Sequence, residues 1–307
     1  MAELEYIQWL RKQTRQNPRV LLGVGDDCAE VAWPDQRSML VTTDMLLEGS
    51  CFLREAGPER IGKKAMSVNL SDMAAMAGKP VAAVVSLGLP RDLSQIWAEA
   101  FYQNLQAQAT RFDTAIVGGD TNAWNGPITI NVTLFGEPTG TEAVKRSGAK
   151  PGDALLVTGS LGGSILGHHL DFTPRIKEAQ QLHQLVELHA MIDISDGLAA
   201  DLHHLCQESG CGAEVWAERV PISEAAHRMN DSKSPLDHAL GDGEDFELLF
   251  ALSDQDAQRL LSDQPLQVVG VNLTHIGRFT TEKDILLIDH RTARKLLPQG
   301  YIHSFGK

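Results

Sequence analysis

Residues 58–89, PERIGKKAMSVNLSDMAAMAGKPVAAVVSLGL, carry the clearest structural pattern of the chain. The stretch 58–77 predicts a helix, because Pro58 stands near its start and Gly78 and Pro80 stop it. The stretch 80–89 is a short apolar run, which is typical of a buried strand. A helix that leads directly into a buried strand indicates a fold that mixes the two elements.

The same alternation extends in both directions along the chain. Amphipathic or apolar periodicity predicts helices over residues 3–16, 93–112, 176–188 and 197–208. Apolar runs predict strands over residues 39–44, 115–117, 128–135, 154–157, 192–194, 246–252 and 268–276. Asp196 is the predicted N-cap of the helix over 197–208, and Gly210 its end. The fold class is therefore α/β (α+β).

A segment rich in Gly, Thr and Lys/Arg, residues 136–152, is the candidate linker. It divides the chain into predicted domains over residues 1–140 and 141–307. A chain of 307 residues is long enough for two domains of ordinary size.

Composition excludes several classes of function. The chain has 27 Lys and Arg against 40 Asp and Glu, which gives a formal charge of −13. A nucleic-acid or anionic-membrane binder needs a basic face, so neither partner is expected. Four cysteines without a CxxC pair argue against a zinc site or disulfide framework. The N-terminus lacks the pattern of a signal peptide, and a cytoplasmic location is expected.

The informative feature is a set of aspartates beside Gly, Ser or Thr, namely Asp26, Asp27, Asp44, Asp72, Asp120, Asp193 and Asp196. Any one of them alone is more typical of a turn or a helix cap. Most of them, however, follow or lie within apolar runs. That placement puts carboxylates at strand ends, where ligand sites of α/β folds form.

Asp72 is the sharpest single case, because it lies in an apolar helix and shares a helix face with Asn69. A buried carboxylate there is costly unless it is paired or binds a metal, whereas a polar stripe at the surface is the alternative interpretation. Converging carboxylates with the hydroxyls of Thr42 and Thr43 would suit Mg²⁺.

Two glycine-rich segments resemble phosphate-binding loops. Residues 57–64 nearly fit a P-loop, but Lys64 stands where Ser or Thr should be and no strand leads in, so we reject that interpretation. Residues 159–164, GSLGGS, follow a predicted strand and could bind phosphate through backbone N–H groups, although a tight turn is the simpler interpretation.

Eight motifs follow one another along the chain: GVGDDCA (23–29), TTDML (42–46), SVNLSD (67–72), VGGDT (117–121), RSGAKPGD (146–153), VTG (157–159), DISDG (193–197) and GEDFEL (243–248). Each is weak alone, but their number and order make the set specific. The set resembles the thiamine-monophosphate kinase family of the ATP-binding superfamily of aminoimidazole ribonucleotide synthetase and selenophosphate synthetase.

The resemblance implies a fold and an activity. The fold would be the two-domain aminoimidazole ribonucleotide synthetase-like fold of a homodimer, whose N-terminal domains form a β-barrel across the dimer. The activity would be Mg²⁺-assisted transfer of the γ-phosphoryl group of ATP to thiamine monophosphate, giving thiamine diphosphate. A phosphate acceptor is largely ionised near pH 7, so no residue is assigned as a general base.

The resemblance also implies roles for individual residues. Mg²⁺ ligands would be Asp27, Thr42, Thr43, Asp44, Asp72, Asp120, Asp193 and Asp196. ATP would contact Gly119, Asp120, Arg146 and Ser195. The thiamine moiety would face Glu244 and Tyr301, together with Cys51, which stands where the family usually has His.

Departures from the family pattern keep two alternatives open. Cys51 and a shortened segment over residues 163–175 are compatible with a catalytically weak nucleotide- or thiamine-phosphate-binding protein, although every putative metal aspartate is retained. Another ATP-dependent member of the superfamily, with a different acceptor, is the second alternative. Such enzymes usually carry a functional Cys or Lys in a glycine-rich N-terminus, and the first sixteen residues offer only Lys12.

Overall fold

The structure is a computed structural model that describes residues 17–23, 25–33, 37–140, 142–290 and 292–301. The predicted helix over residues 3–16 lies outside the described residues. In the following, the N-terminal half denotes the elements up to residue 138, and the C-terminal half denotes those from residue 154 onward.

The N-terminal half is a six-stranded sheet with two helices. Its strands are β1 (Val20–Leu22), β2 (Ala29–Trp33), β3 (Arg37–Leu47), β4 (Gly78–Pro90), β5 (Ala115–Trp124) and β6 (Thr129–Pro138). Its helices are α1 (Gly57–Ala75) and α2 (Gln95–Arg111). The strand order is β1-β2-β3-β6-β4-β5, and β4–β5 is parallel while the other pairs are antiparallel.

The C-terminal half is a seven-stranded sheet of order β13-β12-β9-β11-β7-β10-β8. Its strands are β7 (Ala154–Thr158), β8 (Ala190–Asp193), β9 (Gly212–Trp216), β10 (Leu248–Leu252), β11 (Leu273–Thr280), β12 (Ile285–Asp289) and β13 (Thr292–Lys295). Its helices are α3 (His168–Asp171), α4 (Ile176–Leu185), α5 (Leu198–Ser209), α6 (Glu224–Arg228), α7 (Pro235–Gly241) and α8 (Asp254–Asp263).

Helix α1 is the element that joins the two halves. It contacts β3, β4 and β6 on one side and β8 on the other. Leu70 and Met73 of α1 are fully buried in a hydrophobic cluster that also contains Met191 and Phe250 of the C-terminal half. Because the later turns of α1 are covered on both sides, their polar residues Lys64, Ser67, Asn69 and Ser71 are buried, whereas Glu59 in its first turn is exposed.

Strand β5 is longer than the sequence predicts. The expected strand over 115–117 continues through Gly118 and Gly119 to Trp124, as an exposed edge strand. A Cβ built on Gly119 would lie 1.8 Å from the carbonyl oxygen of Val85 on β4. The glycine therefore permits the close approach of two strands, not a turn.

Two further local predictions are wrong. The strand predicted from residue 268 begins at Leu273, because residues 267–269 form a single exposed 3₁₀ turn. Asp196 is not the N-cap of α5; Gly197, with φ of +121°, holds that position. The carboxylate of Asp201 instead accepts the N–H groups of Asp196 and Gly197, which gives the helix start its missing acceptor.

The six-stranded sheet is open, with β1 and β5 as its edges. One face packs on α1, and the other exposes apolar side chains that include Met45 (59%) and Val117 (65%). Within the described part of the chain, no helix combines the length and the apolar character needed to cross a membrane.

Candidate active site

A cleft of about 560 Å³ lies between the two halves. Eight of the residues singled out from the sequence line it: Asp44, Cys51, Asp72, Asp193, Ser195, Asp196, Glu244 and Tyr301. Residues from positions as distant as 44 and 301 thus share one concave surface, which is the usual form of a ligand site.

The floor of the cleft is built on the C-terminal part of α1. The carboxylate of Asp72 accepts the hydroxyl of Thr42 from β3 at 2.5 Å. The next residue, Ser71, donates its hydroxyl to Asp193 at the end of β8, also at 2.5 Å. Asn69 is fully buried and accepts the backbone N–H of Asp44 at 3.2 Å. The surface-stripe interpretation of this helix face is therefore wrong.

Carboxylates converge at this floor. Asp27, Asp72 and Asp193 each have an oxygen within 4.8 Å of the others, and Asp44 is hydrogen-bonded to Asp72. Burial, together with the neighbouring charge of Asp44, raises the pKa of Asp72 well above its ordinary value. The pKa of Asp193 is raised by burial and by Asp27. Burial raises the pKa of Asp44 to about 6.

Arg146 forms an ion pair with one member of this cluster, Asp27. Its guanidinium donates two hydrogen bonds of 2.8 Å to the two carboxylate oxygens of Asp27. Its backbone N–H donates to Asp26, whose pKa is raised to about 7 by burial and by the charge of Asp27. The bidentate pair fixes Asp27 in one orientation, but one guanidinium cannot neutralise four carboxylates.

The donor set fits a hard divalent cation. The converging atoms are carboxylate oxygens with the Thr42 hydroxyl beside them, and among the described residues the group formed by Asp27, Asp72 and Asp193 includes neither His nor Cys. Mg²⁺ prefers such oxygen ligands, whereas zinc and copper favour nitrogen or sulfur. A cation there would favour the ionised forms of these aspartates, whose pKa values burial and, to a smaller extent, mutual repulsion raise.

A second acidic group lies beside the first. Ligand atoms of Asp196, Asp201 and His204 lie within 4.8 Å of one another. The carboxylate of Asp201 already accepts two backbone N–H groups at the start of α5, so one of its oxygens is occupied by these hydrogen bonds.

The residues predicted to face the substrate also line the cleft. Glu244 accepts a hydrogen bond of 2.5 Å from Lys64, and the hydroxyls of Ser50 and Tyr301 lie 2.9 Å apart. Glu244 and Phe246 both have positive φ, +54° and +50°. Non-glycine residues held in this region carry strain, which is found most often at functional sites.

Three predicted site residues neither line the cleft nor contact the aspartate cluster at its floor. Thr43 points to the exposed face of the first sheet, where its hydroxyl contacts Thr133 at 2.9 Å. Gly119 and Asp120 lie on edge strand β5, two strands beyond β6 and three beyond β3. The side chain of Asp120 there accepts a hydrogen bond from Asn122.

The structure also decides between the interpretations of the glycine-rich segments. Residues 57–64 lie inside α1, so they form no P-loop. In the 159–164 segment, the N–H of Gly162 donates to Asp245 and that of Gly163 to Asp242. These two donors are engaged by carboxylates, which favours the tight-turn interpretation.

Sequence reasoning missed Lys64, Ser71 and Asp201. Lys64 is flanked on its helix face by Ile61 and Val68, and a lysine between apolar positions three and four residues away is a signal that could have found it. Ser71 and Asp201 give no such signal, because their roles depend on partners that only the fold brings near.

Comparison with known proteins gives a consistent result. The family described as AIR synthase related protein matches with its N-terminal domain over residues 25–137 and with its C-terminal domain over residues 150–289. The thiamine-monophosphate kinase of Rhodopirellula baltica is 38% identical over 312 residues, covering 98% of this chain and 97% of its own.

Solved structures agree with the sequence relatives. AaThiL complexed with AMPPCP and TMP superposes with a TM-score of 0.83 at 31% identity, covering 99% of this chain and 97% of its own. The thiamine-monophosphate kinase of Stenotrophomonas maltophilia gives a TM-score of 0.75 at 32% identity, with coverage of 94% and 97%. The chain therefore belongs to the thiamine-monophosphate kinase family of AIR synthase-related proteins.

Proposed function

We propose that the chain transfers the γ-phosphoryl group of ATP to the phosphate of thiamine monophosphate, forming thiamine diphosphate and ADP. The observation that carries the proposal is the convergence of Asp27, Asp44, Asp72 and Asp193 on the floor of a cleft between the two halves. The names of the relatives and the AMPPCP and TMP bound to AaThiL support the choice of both substrates.

The four aspartates, with Thr42 beside them, would hold Mg²⁺, and Asp196 would hold a further ion at the cleft wall. Bound there, Mg²⁺ would neutralise phosphate charge and align the two substrates for in-line transfer. The chain itself positions the ligands: Ser71 orients Asp193, Thr42 orients Asp72 and Arg146 orients Asp27.

The remaining residues would bind the substrates. Ser195 and Arg146 would contact ATP near the aspartate cluster, and Glu244, Cys51 and Tyr301 would face the thiamine moiety. No side chain needs to act as a general base, since the acceptor is already a phosphate anion near pH 7. The catalytic task is to place two polyanions side by side, which electrostatic preorganisation accomplishes.

We also propose that the chain acts as a homodimer with domains over residues 1–140 and 141–307. The exposed face of the first sheet carries Met45 and Val117, and its edge strand β5 is unpaired in the described chain. Covering this face with a second copy would close the two sheets into a barrel. Thr43, Gly119 and Asp120 would then face the partner, where they would join the nucleotide and metal site.

Product formation tests the proposal directly. Thiamine monophosphate, ATP and Mg²⁺ are incubated with the protein, and thiamine diphosphate and ADP are separated by chromatography. Equimolar amounts of the two products are expected. ADP without thiamine diphosphate would favour a different acceptor. A folded protein that binds ATP without turnover would favour the catalytically weak binding protein.

A further inference from the structure

Lys64 is a buried lysine that the proposed reaction does not use. Its side chain is 1% exposed, and it lies on the buried face of α1 between Ile61 and Val68. An ammonium group in such a place is costly unless it is paired and hydrogen-bonded. Its position therefore requires partners, and the identity of those partners indicates what it does.

Both partners of Lys64 belong to the wall of the cleft. The ammonium donates to a carboxylate oxygen of Glu244 at 2.5 Å and to the backbone carbonyl of Cys51 at 2.7 Å. Cys51 lies in the N-terminal half, whereas Glu244, 180 residues after Lys64, lies in the C-terminal half. One buried cation thus connects the two sides of the substrate wall.

The rest of Glu244 is fixed by a second contact. Its backbone has φ of +54°, and its N–H donates to the carbonyl of Ser195 at 2.7 Å. Lys64 holds the side chain while Ser195 holds the main chain. Together they leave the carboxylate one orientation, with about a third of the side chain exposed.

An alternative place for the carboxylate lies next to the cleft. A second cavity of about 530 Å³ shares Glu244, Cys51, Ser50 and Ile165 with the cleft. Without Lys64, the Glu244 side chain would be free to turn into that cavity. The ion pair therefore keeps the carboxylate on the wall that separates the two spaces.

We propose that Lys64 is a positioning residue for the proposed substrate: it orients Glu244 and the Cys51 carbonyl so that they accept N–H groups of the aminopyrimidine end. The inference rests on the proposed function. Lys64 would act on the base of the substrate and not on ATP, because its partners are Glu244 and the Cys51 carbonyl rather than the aspartates of the cleft floor.

Steady-state kinetics of Lys64→Met test the proposal, with Lys63→Met as the matched control. Lys63 is the adjacent lysine of α1, but it is partly exposed and donates to the carbonyl of Asp171. For Lys64→Met we expect KM for thiamine monophosphate to rise about tenfold, the effect of one hydrogen bond to a charged group, with KM for ATP unchanged. Lys63→Met should leave both KM values unchanged.

A double variant shows whether Lys64 acts through Glu244. Adding Lys64→Met to Glu244→Gln should raise KM for thiamine monophosphate by much less than Lys64→Met raises it in the unaltered protein, since only the contact with the Cys51 carbonyl is left to lose. If Lys64→Met does not fold, Lys64→Gln replaces it, since the neutral amide offers a polar group at the buried position but cannot form the ion pair with Glu244, and the same rise in KM is expected. An unchanged KM for thiamine monophosphate in the folded variant would overturn the inference, as would equal rises in both KM values.

Failure of the inference differs from failure of the proposed function. If the unaltered protein forms no thiamine diphosphate, the proposed function fails, and the inference falls with it. If the unaltered protein is active and Lys64→Met has unaltered kinetics, the function stands and the positioning role alone is wrong.

Discussion

Replacing Asp44 by Asn should make the metal-free protein more stable while it abolishes turnover. Asp44 is hydrogen-bonded to Asp72 and is next to the charge of Asp27. An Asn amide can donate to Asp72 in the same place and carries no charge. The substitution therefore removes repulsion without leaving the neighbouring carboxylate unpartnered.

The magnitude follows from the pKa of Asp44, which burial raises from 3.8 to about 6. The folded protein holds this proton more tightly than the unfolded chain does. Its free energy of unfolding therefore falls as pH rises from 3.8 to about 6 and stays lowered above that pH. At 1.36 kcal/mol per pKa unit, the ionised group costs ~3 kcal/mol at pH 8 and roughly half of that at pH 5.

Thermal unfolding in EDTA measures this cost. With an unfolding entropy of ~2.1 cal/mol/K per residue over 307 residues, ~3 kcal/mol corresponds to a rise in Tm of about 5 °C for Asp44→Asn at pH 8. The rise should be about half as large at pH 5. Asp263→Asn, at an exposed position in α8, is the control and should leave Tm unchanged at both pH values.

Saturating Mg²⁺ and ATP should reverse the order of stability. The unaltered protein gains about 4.1 kcal/mol at a thousand times Kd, which exceeds the ~3 kcal/mol advantage of Asp44→Asn in EDTA, whereas Asp44→Asn, which lacks a ligand, should gain much less. If Asp44→Asn melts at or below the unaltered protein in EDTA at pH 8, keeping the buried carboxylate of Asp44 ionised does not destabilise the fold, and the reasoning fails.

Three other substitutions test neighbouring parts of the site. Arg146→Met leaves the fully buried side chain of Asp27 without its partner, and urea unfolding should show a loss of about 3–5 kcal/mol; an unchanged midpoint would contradict this. Gly119→Ala brings a Cβ to 1.8 Å from the Val85 carbonyl oxygen, so amide exchange should become faster in β5, and unchanged protection would refute the close approach. Asp26→Asn removes a carboxyl whose pKa burial raises to about 7. In EDTA, the free energy of unfolding of the variant should fall less between pH 5 and 8 than that of the unaltered protein. Parallel plots of this free energy against pH would contradict the prediction.

The elements around α1 could be predicted from the sequence because their signals are local. The predicted helix over 58–77 corresponds to Gly57–Ala75, and the predicted strand over 80–89 corresponds to Gly78–Pro90. Pro and Gly fix these boundaries by their own backbone limits, whatever the chain packs against. The aspartates of the cleft floor could likewise be proposed from the sequence, because most of them follow or lie in an apolar run.

The contacts that orient these aspartates could not be predicted in the same way. Ser71 binds Asp193 across 122 residues, and Lys64 binds Glu244 across 180. No periodicity or turn signal connects such pairs, since they exist only once the two sheets enclose α1. The predicted cap of α5 is wrong for a related reason. Aspartate is a common capping residue, so Asp196 is expected to cap the helix, but the carboxylate of Asp201, one helical turn later, accepts the N–H groups at the helix start.

The four carboxylates come from both halves of the chain, so their charges affect how the halves pack together. Asp27, Asp44 and Asp72 come from the N-terminal half, and Asp193 comes from the C-terminal half. In the metal-free protein their repulsion acts across the junction, where it opposes the packing of α1 against β8. A cation bound by the group would convert that repulsion into an attraction between the halves. The carboxylates that destabilise the metal-free protein would therefore hold the two halves together when Mg²⁺ and ATP are bound.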